Sequence, residues 1–148
     1  MNLLIQKLEE YYRENGLEVT ADEIQSTLEI KQRILVPDGF LNLVICVYGD
    51  QSDYRSFRFA CYGLGRLTNP TDKDLFKINY FNENQEEMRM RLNENSEVYL
   101  SFDREFPEIT SYDLGIDTME KALECVSTFA IYIKRNYQLL KNVIRCLK

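Results

Sequence analysis

The hydrophobic residues of this chain follow two periods, and the places where one gives way to the other mark out its elements. Near the start, Leu4, Leu8 and Tyr11/Tyr12 recur at helical spacing, and Gly16 stands where a left-handed cap would end that helix. The stretch 17–27 carries mixed signals and reads as a loop with a marginal turn. From there Leu28, Ile30 and Ile34 alternate with Glu29, Lys31 and Arg33, the period of a strand with one wet face. Pro37-Asp38-Gly39 is a turn by its chemistry, because Pro presets φ and Gly accepts positive φ. The next strand sets Leu41, Leu43, Ile45 and Val47 on one face and Val44, Cys46 and Tyr48 on the other, the pattern of a central strand covered on both sides. Residues 54–62 return with Phe57, Phe59 and Cys61 on one face, completing an antiparallel meander.

Asn69-Pro70-Thr71 then interrupts the chain. Thr71 with Asp74 makes a helix start, Leu75, Ile78 and Phe81 supply its apolar side, and the polar run 82–85 stops it. Met88, Met90 and Leu92 alternate with charged residues, as do Val98, Leu100 and Phe102 with polar ones. A five-residue loop between the two runs would set Leu92 opposite Val98, Met90 opposite Leu100 and Met88 opposite Phe102. In the last segment Asp117 and Glu120 resemble a capping box, and no Gly or Pro follows them. This predicts one helix running to Lys148. Met119, Val126, Ile133, Leu140 and Leu147 step by seven along it, Leu123, Ala130, Tyr137 and Ile144 lie beside them, and Ala122 and Phe129 widen the stripe. At about 1.5 Å per residue such a rod extends roughly 40 Å or more, so its end is expected to project toward a partner.

The predicted class is α+β: an antiparallel sheet of about five strands, a meander plus a hairpin, packed with an N-terminal helix, a middle helix and a long C-terminal helix in the order α-β-β-β-α-β-β-α. The length of 148 residues suits a single domain, 1–148, able to bury a core without disulfides or metal. A hydrophobic fraction of 45% sets the chain apart from disordered sequences. Its net charge of −6 argues against a phosphate backbone or an anionic membrane as partner, since both need clustered positive charge. The opening MNLLIQKLEEYY lacks a basic start and is broken by Lys7, Glu9 and Glu10, so it is not expected to act as a signal peptide. No apolar run reaches membrane-spanning length, and a cytoplasmic protein is expected.

The absence of histidine removes Ser-His-Asp and Cys-His pairs and imidazole-ligated metals together. Cys46, Cys61, Cys125 and Cys146 show no C-x-x-C spacing and read as reduced thiols. On one continuous helix Cys125 and Cys146 would stand about 30 Å apart, too far to share an ion. Gly63-Leu64-Gly65 has Thr68 where a dinucleotide motif needs its third glycine, and no Walker lysine follows, so it reads as a flexible loop leaving the sheet. Glu86/Glu87 and Asp103/Glu105 are expected on wet surfaces as solvated charge rather than as acid–base pairs. No cofactor and no metal site is expected.

The order of elements resembles that of the YbjN family and of the type III secretion chaperones whose fold that family shares, across nearly the whole chain. The segment Leu75-Phe76-Lys77-Ile78-Asn79-Tyr80-Phe81-Asn82 is similar to the helix that ends in a Leu-Asn-x-x-Asn signature before the final hairpin of YbjN-like domains. Ile78 stands in place of the Leu, with Asn79 and Asn82 matching. The resemblance implies a non-enzymatic module, often dimeric, that is chaperone-like or regulatory.

The residues themselves agree with a protein-binding role through sheet and helix surfaces. Arg89, Arg91 and Tyr99 fall on the outer face of the last hairpin and belong to the residue types enriched at the energetic centres of interfaces. They are the candidate binding residues, for a protein or peptide partner and with a homodimer among the possible arrangements. The run Lys134, Arg135, Lys141, Arg145 and Lys148 complements a helix C-terminus. The alternative function is a small-ligand binder or carboxylate-based enzyme with a pocket between sheet and helices.

Overall fold

The computed structural model of the chain describes residues 2–83, 87–110 and 113–144. Its elements run α1 (Leu3–Glu14), β1 (Val19–Asp22), β2 (Thr27–Val36), β3 (Gly39–Gly49), β4 (Ser56–Tyr62), α2 (Asp72–Glu83), β5 (Arg89–Leu92), β6 (Val98–Glu105), α3 (Ile116–Arg135) and α4 (Tyr137–Val143). The strands make one antiparallel sheet in the order β1-β2-β3-β4-β6-β5. The α+β class and the expected order hold, with six strands instead of five.

The additional strand is β1, inside the stretch expected to be a loop. It pairs with β2 from Val19↔Ile30 to Asp22↔Thr27. Only Val19 and Ala21 turn toward the core, too few for a two-residue period to show. The β2–β3 ladder pairs Leu28 with Val47, Ile30 with Ile45 and Ile34 with Leu41, so each inward residue meets another across the strands. The β5–β6 register is the expected one, Leu92↔Val98 and Met90↔Leu100, and the buried Met88 sits just before the strand.

The inward apolar residues of the sheet join one cluster with the helices, including Leu4 and Leu8 of α1, Phe81 of α2 and Val126, Phe129 and Ile133 of α3. At its centre Phe59 stacks on Phe102 at 5.3 Å, and Phe102 meets Phe129 at 5.2 Å. Such aromatic pairs contribute about 0.5–1.5 kcal/mol each beyond the area they bury.

The helix start read from Thr71 and Asp74 is a reciprocal capping box: Thr71 N–H donates to Asp74 Oδ2 at 2.9 Å and Asp74 N–H donates to Thr71 Oγ1 at 3.2 Å. Ile78 and Phe81 are buried as expected, whereas Leu75 is 43% exposed beside Phe76 and Tyr80. The helix packs against β5 and α4 at the edge of the fold, which covers only a narrow stripe of it. Asn84 and Gln85, from the run expected to stop this helix, lie outside the described residues, as does Glu86.

The loop after β4 is pinned where a flexible one was expected. Gly63 has φ 97°, and a Cβ there would stand 2.2 Å from the Asn42 carbonyl oxygen, so no other residue fits. Leu64 between the two glycines is fully buried, and Val98 N–H donates to the Gly65 carbonyl at 2.9 Å.

The C-terminal helix departs from the prediction at both ends. Gly115 rather than an Asp–Glu capping box precedes α3, and Asp117 lies within the first turn without capping it. The single rod breaks at Asn136, whose side-chain Nδ2–H donates back to the Tyr132 carbonyl at 3.0 Å. The Tyr132 carbonyl also accepts the Asn136 backbone N–H at 3.0 Å, so backbone and side chain share it. Beyond the break α4 turns its stripe onto the fold: Tyr137, Leu140, Val143 and Ile144 are all buried. The Tyr137 hydroxyl donates to Asp38 Oδ2 at 3.1 Å, and Lys141 Nζ bonds the same oxygen at 2.6 Å. The described end of the chain is thus docked on the β2–β3 turn and does not project. Arg145, Cys146, Leu147 and Lys148 lie outside the described residues, and the separation inferred for Cys125 and Cys146 along one rod does not apply.

Candidate functional site

The helices gather on one face of the sheet, and among the described residues no helix packs on the other. This corrects the expectation that β3 is covered on both sides. Its Val44, Cys46 and Tyr48 look out over the open face, and Cys46 and Ala60 of β4 are buried yet stand apart from the core cluster.

The strand registers lay this face out in rows. One row runs Lys31, Val44, Tyr62, Tyr99, Arg91, with Tyr62 and Tyr99 stacked at 4.9 Å. The next runs Glu29, Cys46, Ala60, Ser101, Arg89, and the one after it Thr27, Tyr48, Arg58, Asp103. The centre of the middle row, Cys46, Ala60 and Ser101, is short side chains flanked by longer ones, so it forms a floor. Tyr48 and Tyr62 flank that floor from the rows on either side, each half-buried. This explains why Cys46, Ala60 and Ser101 are only 4%, 1% and 3% exposed although no other layer covers them.

A cleft of about 720 Å³ opens here, bounded by Tyr48, Tyr62 and Tyr99 and, at its far end, by Asp50 and Glu105. A smaller one of about 310 Å³ adjoins it beneath Arg58, Arg89 and Arg91. Arg58 and Asp103 form an ion pair at 2.9 Å between them, and Arg104 pairs with Glu87 at 3.6 Å. Toward the β2–β3 turn the face continues with Leu35 and Phe40, both more than half exposed, and the Arg33 guanidinium lies 4.3 Å above the Phe40 ring.

Burial raises the Tyr48 and Tyr62 hydroxyls above the ordinary tyrosine range and the Cys46 thiol to about 11, so all three stay protonated near neutrality. A protonated, shielded thiol is a poor nucleophile. What the surface offers is aromatic contact, hydroxyl hydrogen bonds and guanidinium groups, the chemistry of recognition. Cys46, Cys61 and Cys125 are free and buried. No cluster of three or more potential metal ligands occurs among the described residues. Among them, too, no helix is long and apolar enough to cross a membrane.

The three residues singled out by sequence lie together on this face. Arg91 is the cross-strand partner of Tyr99, and Arg89 follows in the next row opposite Ser101. Sequence reasoning alone does not single out Tyr48, Tyr62 and the small-residue floor. The signal is present in the aromatic residues at the outward positions of β3 and β4.

The segment Ile78, Asn79, Asn82 resolves into different roles. Ile78 is core, Asn79 is exposed, and Asn82 grips the edge of the sheet. Its Oδ1 accepts from Met90 N–H at 2.7 Å and its Nδ2–H donates to the Met90 carbonyl at 2.9 Å. The side-chain amide thereby stands in for a neighbouring strand at β5. Of the basic run, Lys134 and Arg135 occupy the last turn of α3 and Lys141 bonds Asp38.

No family model matches the sequence, and no curated protein matches it. Among solved structures the chain is similar to one in the crystal structure of the ExsC–ExsE complex, with a TM-score of 0.55 over 91% of this chain and 96% of that one. The two are 13% identical, so the likeness shows the fold. It carries nothing for the YbjN family in particular.

Proposed function

We propose that this chain is a non-enzymatic protein-binding module, chaperone-like or regulatory, that works through the open face of its sheet. The observation that carries the reading is the cleft walled by Tyr48, Tyr62 and Tyr99 with Ala60 between them, on a sheet face that no helix covers among the described residues. Tyrosine gives large contact area at low entropic cost and keeps a hydroxyl for hydrogen bonding, which suits a surface that must be soluble when free and dry when occupied. The solved neighbour belongs to a complex of two proteins, and the shared fold favours the same kind of use here. Arg89, Arg91 and Tyr99 are the residues of this face that the reading commits to, with Tyr62 and Tyr48 beside them.

A cytoplasmic setting, in which buried thiols stay reduced, belongs to the same reading. So does a homodimer, for which exposed Leu75, Phe76 and Tyr80 on α2 supply the most apolar helix surface. Within the chaperone-like class, Ile78, Asn79 and Asn82 favour a YbjN-like domain. The test is a partner isolated from the native cell, identified, purified and titrated by calorimetry against the wild type and the Tyr62→Ser/Tyr99→Ser double variant. The reading requires at least a tenfold loss of affinity with the circular dichroism spectrum unchanged. Equal affinity for a correctly folded double variant overturns it.

A further inference from the structure

Resting on that reading, we propose that the partner's bound segment is extended and carries an acidic residue at each end of an apolar or aromatic stretch, one acid meeting Arg91 and the other Lys31. The row Lys31, Val44, Tyr62, Tyr99, Arg91 is a platform of apolar and aromatic side chains with a cation at each end. Arg91 is exposed and makes no ion pair or hydrogen bond among the described residues. Among the described residues Lys31 has only Glu18 at 3.4 Å as an ion partner, and both side chains are more than half exposed, an arrangement that solvent weakens. The other arginines nearby are engaged: Arg58 by Asp103, Arg104 by Glu87, and Arg89 by the Asn82 carbonyl. On a chain of net charge −6, two under-used cations at the ends of an aromatic row are the opposite of what the average surface would present.

Strand spacing sets the length of the occupant. Four steps of about 4.8 Å separate Lys31 from Arg91, roughly 19 Å, and an extended chain covers that in about six steps of 3.3 Å. Its first, third, fifth and seventh side chains then point at the sheet, so the two acids are the first and the seventh and the two apolar residues are the third and the fifth. Addition of a strand at the β5 edge is a poor alternative, because Asn82 already holds the outward Met90 N–H and carbonyl.

The probe is a fluorescent heptapeptide, Glu-Gly-Phe-Gly-Phe-Gly-Glu with blocked ends, titrated by anisotropy at low ionic strength. It is compared with a peptide having Lys at both ends and with one lacking the last Gly, which puts the second acid out of phase. The acidic heptapeptide is expected to bind at least tenfold more tightly than either, and Arg91→Glu is expected to invert the preference between acidic and basic peptides. Equal binding of acidic and basic peptides, or a preference untouched by Arg91→Glu, overturns the inference. If the peptides bind regardless of charge and lose affinity on Tyr62→Ser, the sheet-face reading survives and the acidic-segment inference does not. The acidic-segment inference also fails, and the sheet-face reading stands, if no peptide binds while the native partner still depends on Tyr62 and Tyr99. A dimer in light scattering that Arg91→Glu dissociates also overturns it, because a second copy then occupies the face.

Discussion

Replacing Asn82 by Ala removes the two hydrogen bonds, at 2.7 and 2.9 Å, that tie β5 to the end of α2. Met90 is 1% exposed, and its N–H and carbonyl point away from β6, so nothing else in the fold takes them over. A net contribution of about 1 kcal/mol per bond gives roughly 2 kcal/mol, rising toward about 4 if water cannot reach the orphaned groups. In a domain of this size that corresponds to a fall in Tm of about 4–8 °C at the lower figure. Asn82→Asp keeps an acceptor for the amide but sets a carboxylate against the Met90 carbonyl, so it is expected to be no better than Ala. Urea denaturation measures the global effect, and hydrogen exchange at the Met90 amide measures the local one, expected to accelerate at least tenfold. If Asn82→Ala lies within about 0.5 kcal/mol of wild type, the usual range for a surface change, and Met90 exchange is unaltered, the side-chain amide is not acting as a surrogate strand.

Three further outcomes are expected. Gly63→Ala must accommodate a methyl 2.2 Å from the Asn42 carbonyl at a positive φ, and should cost about 2–4 kcal/mol in chemical denaturation. Tyr62→Ala should uncover Cys46 and speed its labelling by a thiol reagent at least tenfold, while Cys61 on the core face stays protected; unchanged Cys46 labelling would show that Tyr62 is not its shield. Lys141 and then Tyr137 hold the Asp38 carboxyl below the ordinary carboxylate range. The tie of α4 to the β2–β3 turn is therefore present at neutral pH and lost as pH falls through that lowered value, and Asp38→Asn should abolish this acid-dependent step in the amide protection of α4.

Where many residues share one period, the sequence and the fold agree. The β2–β3 pair has ten cross-strand pairs, and a slip of one residue would turn Leu28, Ile30 and Ile34 into water, so alternation excludes odd slips and the Pro37-Asp38-Gly39 turn selects the register among the rest. Where an element rests on one or two side chains, no periodic signal exists. The strand β1 is one such case, with Val19 and Ala21 its only inward residues. The break at Asn136 is another. The apolar stripe continues through it from Ile133 to Tyr137 and Leu140, so periodicity describes which residues are buried while saying nothing of the interruption at Asn136.

The candidate face is half legible in the sequence for a related reason. Arg89, Arg91 and Tyr99 stand out because large polar residues alternate with Met90 and Leu100 on a short hairpin, where inside and outside are plain. On β3 the outward residues Val44, Cys46 and Tyr48 are as apolar as a buried face, and the pattern alone therefore predicts a second covering layer. The physical alternative is that a sheet with one open face can satisfy its outward apolar positions with its own side chains. Tyr62 stacks on Tyr99, Tyr48 stands in the row on the other side, and Cys46, Ala60 and Ser101 between them are buried. That arrangement leaves the rings' outer surfaces and the guanidinium of Arg91 facing solvent with no structural duty to the core. Residues in that position are free to be shaped by what binds them, which is why the proposed recognition is placed on this face rather than on the helix layer.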